Sequence, residues 1–470
     1  MKRKIALIAL AAAGCAAAAA LAATQSGETA VKAAKPALQP IAPPPAAANS
    51  YPFYMPMQGL RRPAHRLTVK CDASQRAGRE VWGGRDASYL GGRAEGGFEI
   101  VYEARDAAGR PCVYPFAPWF PQIVGPLQGT QYIVRSSIPG ERVTFRTNDQ
   151  WASLSLRLLD IGNARIHFEM SDIALDFPGA IQPKGALAIE AFDGVRPGLL
   201  TAVVRRSKIF GGKNALFVPS GQTMLYVEDT DLAGNVGTNV DQEHVTYING
   251  ILVSHMRNSS WSGQRSWRNI ASGHQLKDKA YLRVYENVTL TNAPNGGAPS
   301  AMPLADISAF GFTWTNGLRI RRLEPAQAAR DALVDLRTEI VYAQPWVYPW
   351  NLFADPRWRM PAAPLQSLDQ VYLSVFMNTK VESFRTEPYV FALRPTGTNF
   401  EPGKTTVEGN DYTTRPQQRM VSLAFGTTGD FSRVYSNQGW TYADPKLPPG
   451  AEWVADRDAF IRHALGLIGR

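Results

Sequence analysis

Four residues in the middle of the chain are of types that do acid–base chemistry. His244 and Tyr247 are followed by His274 and Lys277, so the same short spacing recurs one interval further along the chain. Stacked as successive repeats, the two histidines would share one column, and Tyr247 and Lys277 a second. Side chains in one column of a parallel sheet lie roughly 5 Å apart. Imidazole, phenol and ammonium gathered on so small an area can neutralise a carboxylate, remove the proton alpha to it and protonate a leaving oxygen. Asp241, Glu243, Asp278 and Lys279 flank the group. The competing reading is structural. A histidine at the start of a strand often bonds a turn carbonyl, and columns of like residues also stabilise stacked coils.

The elements that would position these residues repeat. Segments beginning at Ala186, Ala215, His244 and His274 follow one another at nearly equal intervals. Each is followed by an apolar-x-apolar strand and a further apolar residue, as in Leu225-Tyr226-Val227 with Leu232 and Leu282-Arg283-Val284 with Leu290. Val204 with Ile209 and Met256 with Trp261 fit the same pattern, and Asn287 and Asn292 fall where polar ladders and turns are common. Short strands at this period bury no apolar face alone, but stacked coils bury a continuous one. The 3.6-residue periodicity of helical repeats is missing. The expectation is an all-β-dominated chain with a right-handed parallel β-helix over residues 151–323. A string of immunoglobulin-like sandwiches is the alternative.

Around that body, residues 51–150 read as a β-rich N-terminal module and 324–470 as a helix-plus-strand extension. Pro325 to Ala343 has helical spacing, with proline at its start. An aromatic and proline-rich arm follows at 345–353, residues 371–442 read as strands, and Asp456 to Gly469 as a terminal helix. Cys71 and Cys112 are expected to form a disulfide stapling the N-terminal module.

The N-terminus reads as an export address: Lys2, Arg3 and Lys4, then an apolar run from Ile5 to Ala13. Cleavage after Ala20-Leu21-Ala22 would make 1–22 a signal segment and 23–50 an Ala/Pro-rich linker. Alternatively, Ala12-Ala13-Gly14-Cys15 resembles a lipobox, Cys15 would carry a lipid anchor to the outer membrane, and the Ala/Pro stretch would be a tether. Either route puts the protein in the periplasm, on the cell surface or outside the cell.

The formal net charge is +10. Between His244 and Tyr285, Arg257, Arg265, Arg268, Lys277, Lys279 and Arg283 face Asp278 alone. A local basic field attracts anions, and for an exported chain the expected anion is an acidic polysaccharide rather than nucleic acid. The bland alternative is a solvated surface.

Gly273-His274-Gln275-Leu276-Lys277-Asp278-Lys279-Ala280, preceded by His244-Val245-Thr246-Tyr247-Ile248, resembles bacterial β-helix repeat proteins of the pectin-lyase-like superfamily. There, His-x-x-Tyr-Ile precedes Gly-His-x-x-Lys-Ser-Arg-Ala by one repeat; Asp278 and Lys279 stand where that pattern has Ser and Arg. Asn295-Gly296-Gly297 is a weaker match. The resemblance spans residues 160–322 and implies a right-handed β-helix, within a superfamily of lyases, hydrolases, esterases and binding proteins.

Among these chemistries, hydrolysis needs two carboxyls flanking the bond, and the sequence has no Asp-Asp. Asp229, Asp231 and Asp241 do not converge as a calcium site, and no His/Cys set has zinc spacing. No phosphate-binding loop is present. The residue types fit a polysaccharide lyase acting by β-elimination without metal or cofactor. In that reading Lys277 with Arg283 or Lys279 neutralises a uronate, His274 or His244 takes the proton and Tyr247 protonates the leaving oxygen, while Arg257 and Arg268 help bind the chain. The rival is a non-catalytic polysaccharide-binding or surface-assembly protein. Exposure of Tyr247 and Lys277 separates the two: an open groove favours the enzyme, a covered column the scaffold.

Overall fold

The computed structural model describes residues 59–72, 94–116, 122–192, 199–219, 223–234, 243–262, 274–292, 304–308, 311–322, 332–337, 372–382, 389–394, 406–407, 410–411, 420–425, 434–436, 440–443 and 452–466. The export segment, Cys15, the Ala/Pro stretch, Asp241, Arg268, Asn295–Gly297 and the 345–353 arm lie outside them.

The described strands stack into a parallel β-solenoid with three faces, sheets of twelve, ten and nine strands. One coil shows the pattern. Val253–Arg257 lies in the twelve-stranded sheet, Ser260–Ser262 in the nine-stranded sheet and Leu276–Lys279 in the ten-stranded sheet, before Leu282–Glu286 returns to the first. The corner between the first two is set by backbone conformation. Asp172, Arg206, Asp229, Asn258, Asn287 and Asn378 hold φ between 47° and 59°, one per coil. Asn and Asp visit that left-handed region more readily than other non-glycine residues, and their side chains join adjacent corners: Asn287 Nδ2 donates to Asn258 Oδ1 at 3.2 Å.

The interior is a set of apolar columns. Phe145, Leu175, Ile209, Leu232, Trp261, Leu290 and Ile320 follow one another in register along the nine-stranded sheet. All are buried, each contributing about 1.5–3 kcal/mol by leaving water. The ladders extend beyond 151–323: His65–Val69 pairs with Phe98–Tyr102 at one end, and Gly311–Asn316 with Tyr372–Met377 at the other. Cys71 and Cys112 are disulfide-bonded, with Cα atoms 5.9 Å apart.

Two expectations are corrected. Within the stretch expected as a helix from Pro325 to Ala343, Ala332–Arg337 is a strand between Ala305–Ser308 and Tyr389–Arg394. Ala326, Ala329, Leu333, Leu336 and Ile340 recur at helical spacing while Ala332, Val334 and Leu336 alternate as in a strand, and pairing on both sides decides between them. The second is a register slip. Leu225 pairs with Ser254 and Ser254 with Arg283, so Leu282 sits one position away from Leu225's column. Moving a strand by one residue exchanges its faces, and here it brings Arg283 inside.

The terminal helix runs over Arg457–Gly466. Asp456 caps it, its Oδ1 accepting the Ala459 N–H at 2.7 Å. The helix packs on the twelve-stranded sheet: Phe460 meets Phe312 edge-on at 6.0 Å and Tyr281 OH donates to Ala464 O at 2.9 Å. Just before the helix, Trp314 Nε1 donates to Val454 O at 3.0 Å. Glu286 ties the helix down by accepting from His255 Nε2 at 2.6 Å and Arg457 Nη1 at 3.2 Å.

Candidate functional site

Three successive strands of the ten-stranded sheet, Thr246–Asn249, Leu276–Lys279 and Ala305–Ser308, carry the candidate site. Register places Phe217, Tyr247, Lys277 and Asp306 in one column. The inward-facing columns on either side carry Leu216, Thr246 and Leu276, and Ile248, Asp278 and Ile307.

The two histidines stack at the start of these strands, with ring centroids 5.1 Å apart. The reason lies in the backbone. Asn214 Oδ1 accepts the His244 N–H at 2.9 Å, and His244 Nδ1 accepts the His274 N–H at 3.1 Å. Each side chain thus bonds the peptide of the next coil. Because Nδ1 of His244 is an acceptor, a neutral ring carries its proton on Nε2. Burial, then the nearby Lys277 and His274, hold this imidazole well below its ordinary pKa, against the opposing pull of Asp306. His244 is therefore neutral at physiological pH.

Tyr247 is half-buried and lies between rings, 5.6 Å from His244 at 9° and 5.6 Å from Phe217 at 18°. Lys277 Nζ is 6.0 Å from the centroid of the Tyr247 ring and 3.3 Å from Asp306 Oδ2. The same Asp306 oxygen lies 3.5 Å from His274 Nε2. Lys277 is 8 % exposed and Asp306 1 %. The four residues anticipated as one group, His244, Tyr247, His274 and Lys277, do come together, but under cover rather than in an open groove.

The expected binding cations divide. Lys279 is two residues along the strand from Lys277, close enough to act on His244, and buried. Arg283 is fully buried in the solenoid interior, its Nε donating to Thr313 Oγ1 at 2.9 Å. There it joins Asp278, which accepts from Tyr285 OH at 2.7 Å and from the Ala280 N–H at 2.9 Å. Burial pushes the Asp278 carboxyl up and the Arg283 guanidinium down, while each attracts the other's charged form. Arg257 belongs to the twelve-stranded sheet and is paired with Glu228. Of the six cations in the sequence window, Arg257 and Lys277 are paired with Glu228 and Asp306, Arg283 lies by Asp278, and Arg265 and Arg268 lie outside the described residues. Among the described residues no group of three His, Cys, Asp or Glu side chains could hold a metal ion.

Sequence reasoning missed Asp306. Its signal was the repeat itself, since one further period beyond Lys277 reaches it, but no histidine opens that coil to mark the register. Asp335 pairs with Asp306 in the next coil. Comparison with protein-family models, curated proteins and solved structures finds no match to this chain.

Proposed function

We propose that this chain is an exported, carbohydrate-active protein of the pectin-lyase-like, right-handed type, acting on an acidic polysaccharide by β-elimination without a metal. One observation carries the reading. On preceding coils, the column holding Tyr247, Lys277 and Asp306 contains Ser155, Ala188 and Phe217. The fold is thus satisfied by uncharged residues at this position. Burying ion pairs instead brings little stability, which points to a chemical use.

In this reading Lys277, aided by Lys279, offsets the charge of a uronate carboxylate and so acidifies its alpha proton. His274 accepts that proton. The electron pair of the broken C–H bond forms a carbon–carbon double bond, the bond to the glycosidic oxygen breaks, and the Tyr247 phenol protonates the departing oxygen. His244, neutral and bonded to the His274 peptide, holds the neighbouring coil in place. Arg283 has no part in it, and Arg257 lies on another face.

A second reading rests on burial. With Lys277 8 % exposed, His274 1 % exposed and Lys277 paired with Asp306, the column is covered, the arrangement that favours a non-catalytic polysaccharide-binding or surface-assembly protein over the enzyme. Incubating the full chain with a panel of uronate-containing polysaccharides separates the two. Elimination yields new chain ends together with the ultraviolet absorbance of unsaturated uronate. Tyr247→Phe and His274→Ala should each lower turnover by roughly 10²–10⁴-fold. Wild-type turnover in both variants rejects the assignment, and retention of a polysaccharide without cleavage favours the scaffold. New ends without absorbance indicate hydrolysis, for which Asp306 and its register neighbour Asp335 would be the carboxyl pair to examine.

A further inference from the structure

We infer that Asp306 is a positioning residue of the site, fixing the tautomer and raising the basicity of His274, so that His274 rather than His244 moves the proton. This rests on the elimination reading for its purpose, but its physical content is independent of it. The geometry is asymmetric between the two imidazoles. His244 has its Nδ1 committed to the peptide N–H of His274. His274 Nε2 lies 3.5 Å from Asp306 Oδ2, at ion-pair distance rather than in hydrogen-bond geometry. A carboxylate at that nitrogen favours the Nε2–H form, leaving the lone pair on Nδ1, and favours protonation of the ring.

The groups around His274 come from three coils: His244 and Tyr247 from the preceding one, Lys277 and Lys279 from its own, and Asp306 from the next. Lys277, Lys279 and any charge on His244 oppose protonation of His274. Asp306 is the anion against them, and the same oxygen lies 3.3 Å from Lys277 Nζ. Removing its charge takes away the carboxylate that lies against both His274 and Lys277. Asp306 therefore acts on Lys277 and His274 together, keeping the ammonium in place beside Tyr247 and the imidazole ready to accept a proton.

The chain has six histidines, few enough for imidazole signals to be assigned by single His→Gln variants. Nitrogen-15 shifts of the wild-type full chain should show both His244 and His274 as Nε2–H when neutral. On acidification His274 should titrate at least about one unit above His244, a tenfold difference in proton affinity. In Asp306→Asn the His274 midpoint should fall by about one unit or more, and in Asp306→Glu it should recover most of that loss. An Nδ1–H tautomer at His274 in the wild type overturns the inference without any variant, should the substitutions prevent folding. So does a midpoint unchanged in Asp306→Asn. A chain that cleaves no polysaccharide but shows the expected titration rejects elimination and leaves this inference standing. A cleaving chain with an unresponsive His274 rejects this inference alone.

Discussion

At His244 an imidazole takes the place that an amide fills one coil earlier. Asn214 Oδ1 and His244 Nδ1 accept equivalent peptide N–H groups, so the histidine is a ladder residue as much as a chemical one. Its lowered pKa has a consequence for stability. Above about pH 6.5 the imidazole is neutral both folded and unfolded, and contributes no pH dependence. As the pH falls below that value, the unfolded ring takes up a proton that the folded ring refuses. Stability then declines by at most about 1.4 kcal/mol per pH unit until the folded value is reached. His255 is also lowered by burial, although Glu286 pulls against it, and its contribution has the same sign. His244→Asn keeps an acceptor for the His274 peptide and should flatten the decline between pH 6.5 and 5. Denaturant midpoints across that range check this; an unchanged slope would show that His244 is not the group responsible.

Among the elements, the first described coils are joined by Cys71–Cys112, which closes a loop of 41 residues in sequence. In the chain-entropy account such a link is worth about 4 kcal/mol. Coils of a solenoid pair only with their neighbours, so the effect should stay local. Reduction, or Cys71→Ser, should speed amide exchange in His65–Val69 and Phe98–Tyr102 while leaving Val253–Arg257 unaffected. Equal acceleration throughout would mean that the coils unfold together. The near-constant period made the stacking of these segments legible, because the chain must return to the same sheet once per coil, but it set Ala215 against His244 where the register sets Asn214 there and Ala215 against Val245. The register of the neighbouring strand was not legible. Leu282 and Val284 flank Arg283, and an apolar-x-apolar pattern fits either face. The inward arginine donates to Thr313 and feels the charge of Asp278, which lie on other strands and carry no local signal. Ala332–Arg337 misled for a related reason, its composition suiting both a helix and a strand until partners on both sides fix it.

For the molecule as a whole, the helix Arg457–Gly466 joins late sequence to the middle of the solenoid. It buries Phe460, Ile461, Ala464 and Leu465 against a sheet face that includes Tyr281, Phe312 and Trp314. Full burial of Phe460 or Leu465 contributes about 1.5–3 kcal/mol each. Deleting residues 452–470 should therefore lower the unfolding midpoint, shift tryptophan emission to the red and raise binding of a hydrophobic dye. Unchanged dye binding would show that the sheet face does not need the helix as its cover. The candidate site, by contrast, is assembled across the stacking direction. Tyr247, Lys277 and Asp306 come from three consecutive coils, each holding one position of the column. Its composition therefore follows the order of the coils, so that excising a whole coil could leave a well-paired solenoid with a different set of neighbours. Removing residues 246–275 would set Leu276 where Thr246 stood and seat Lys277 directly against Phe217. In such an architecture, recombination that copies or drops single coils rewrites the chemistry of the column in one step while sparing the scaffold.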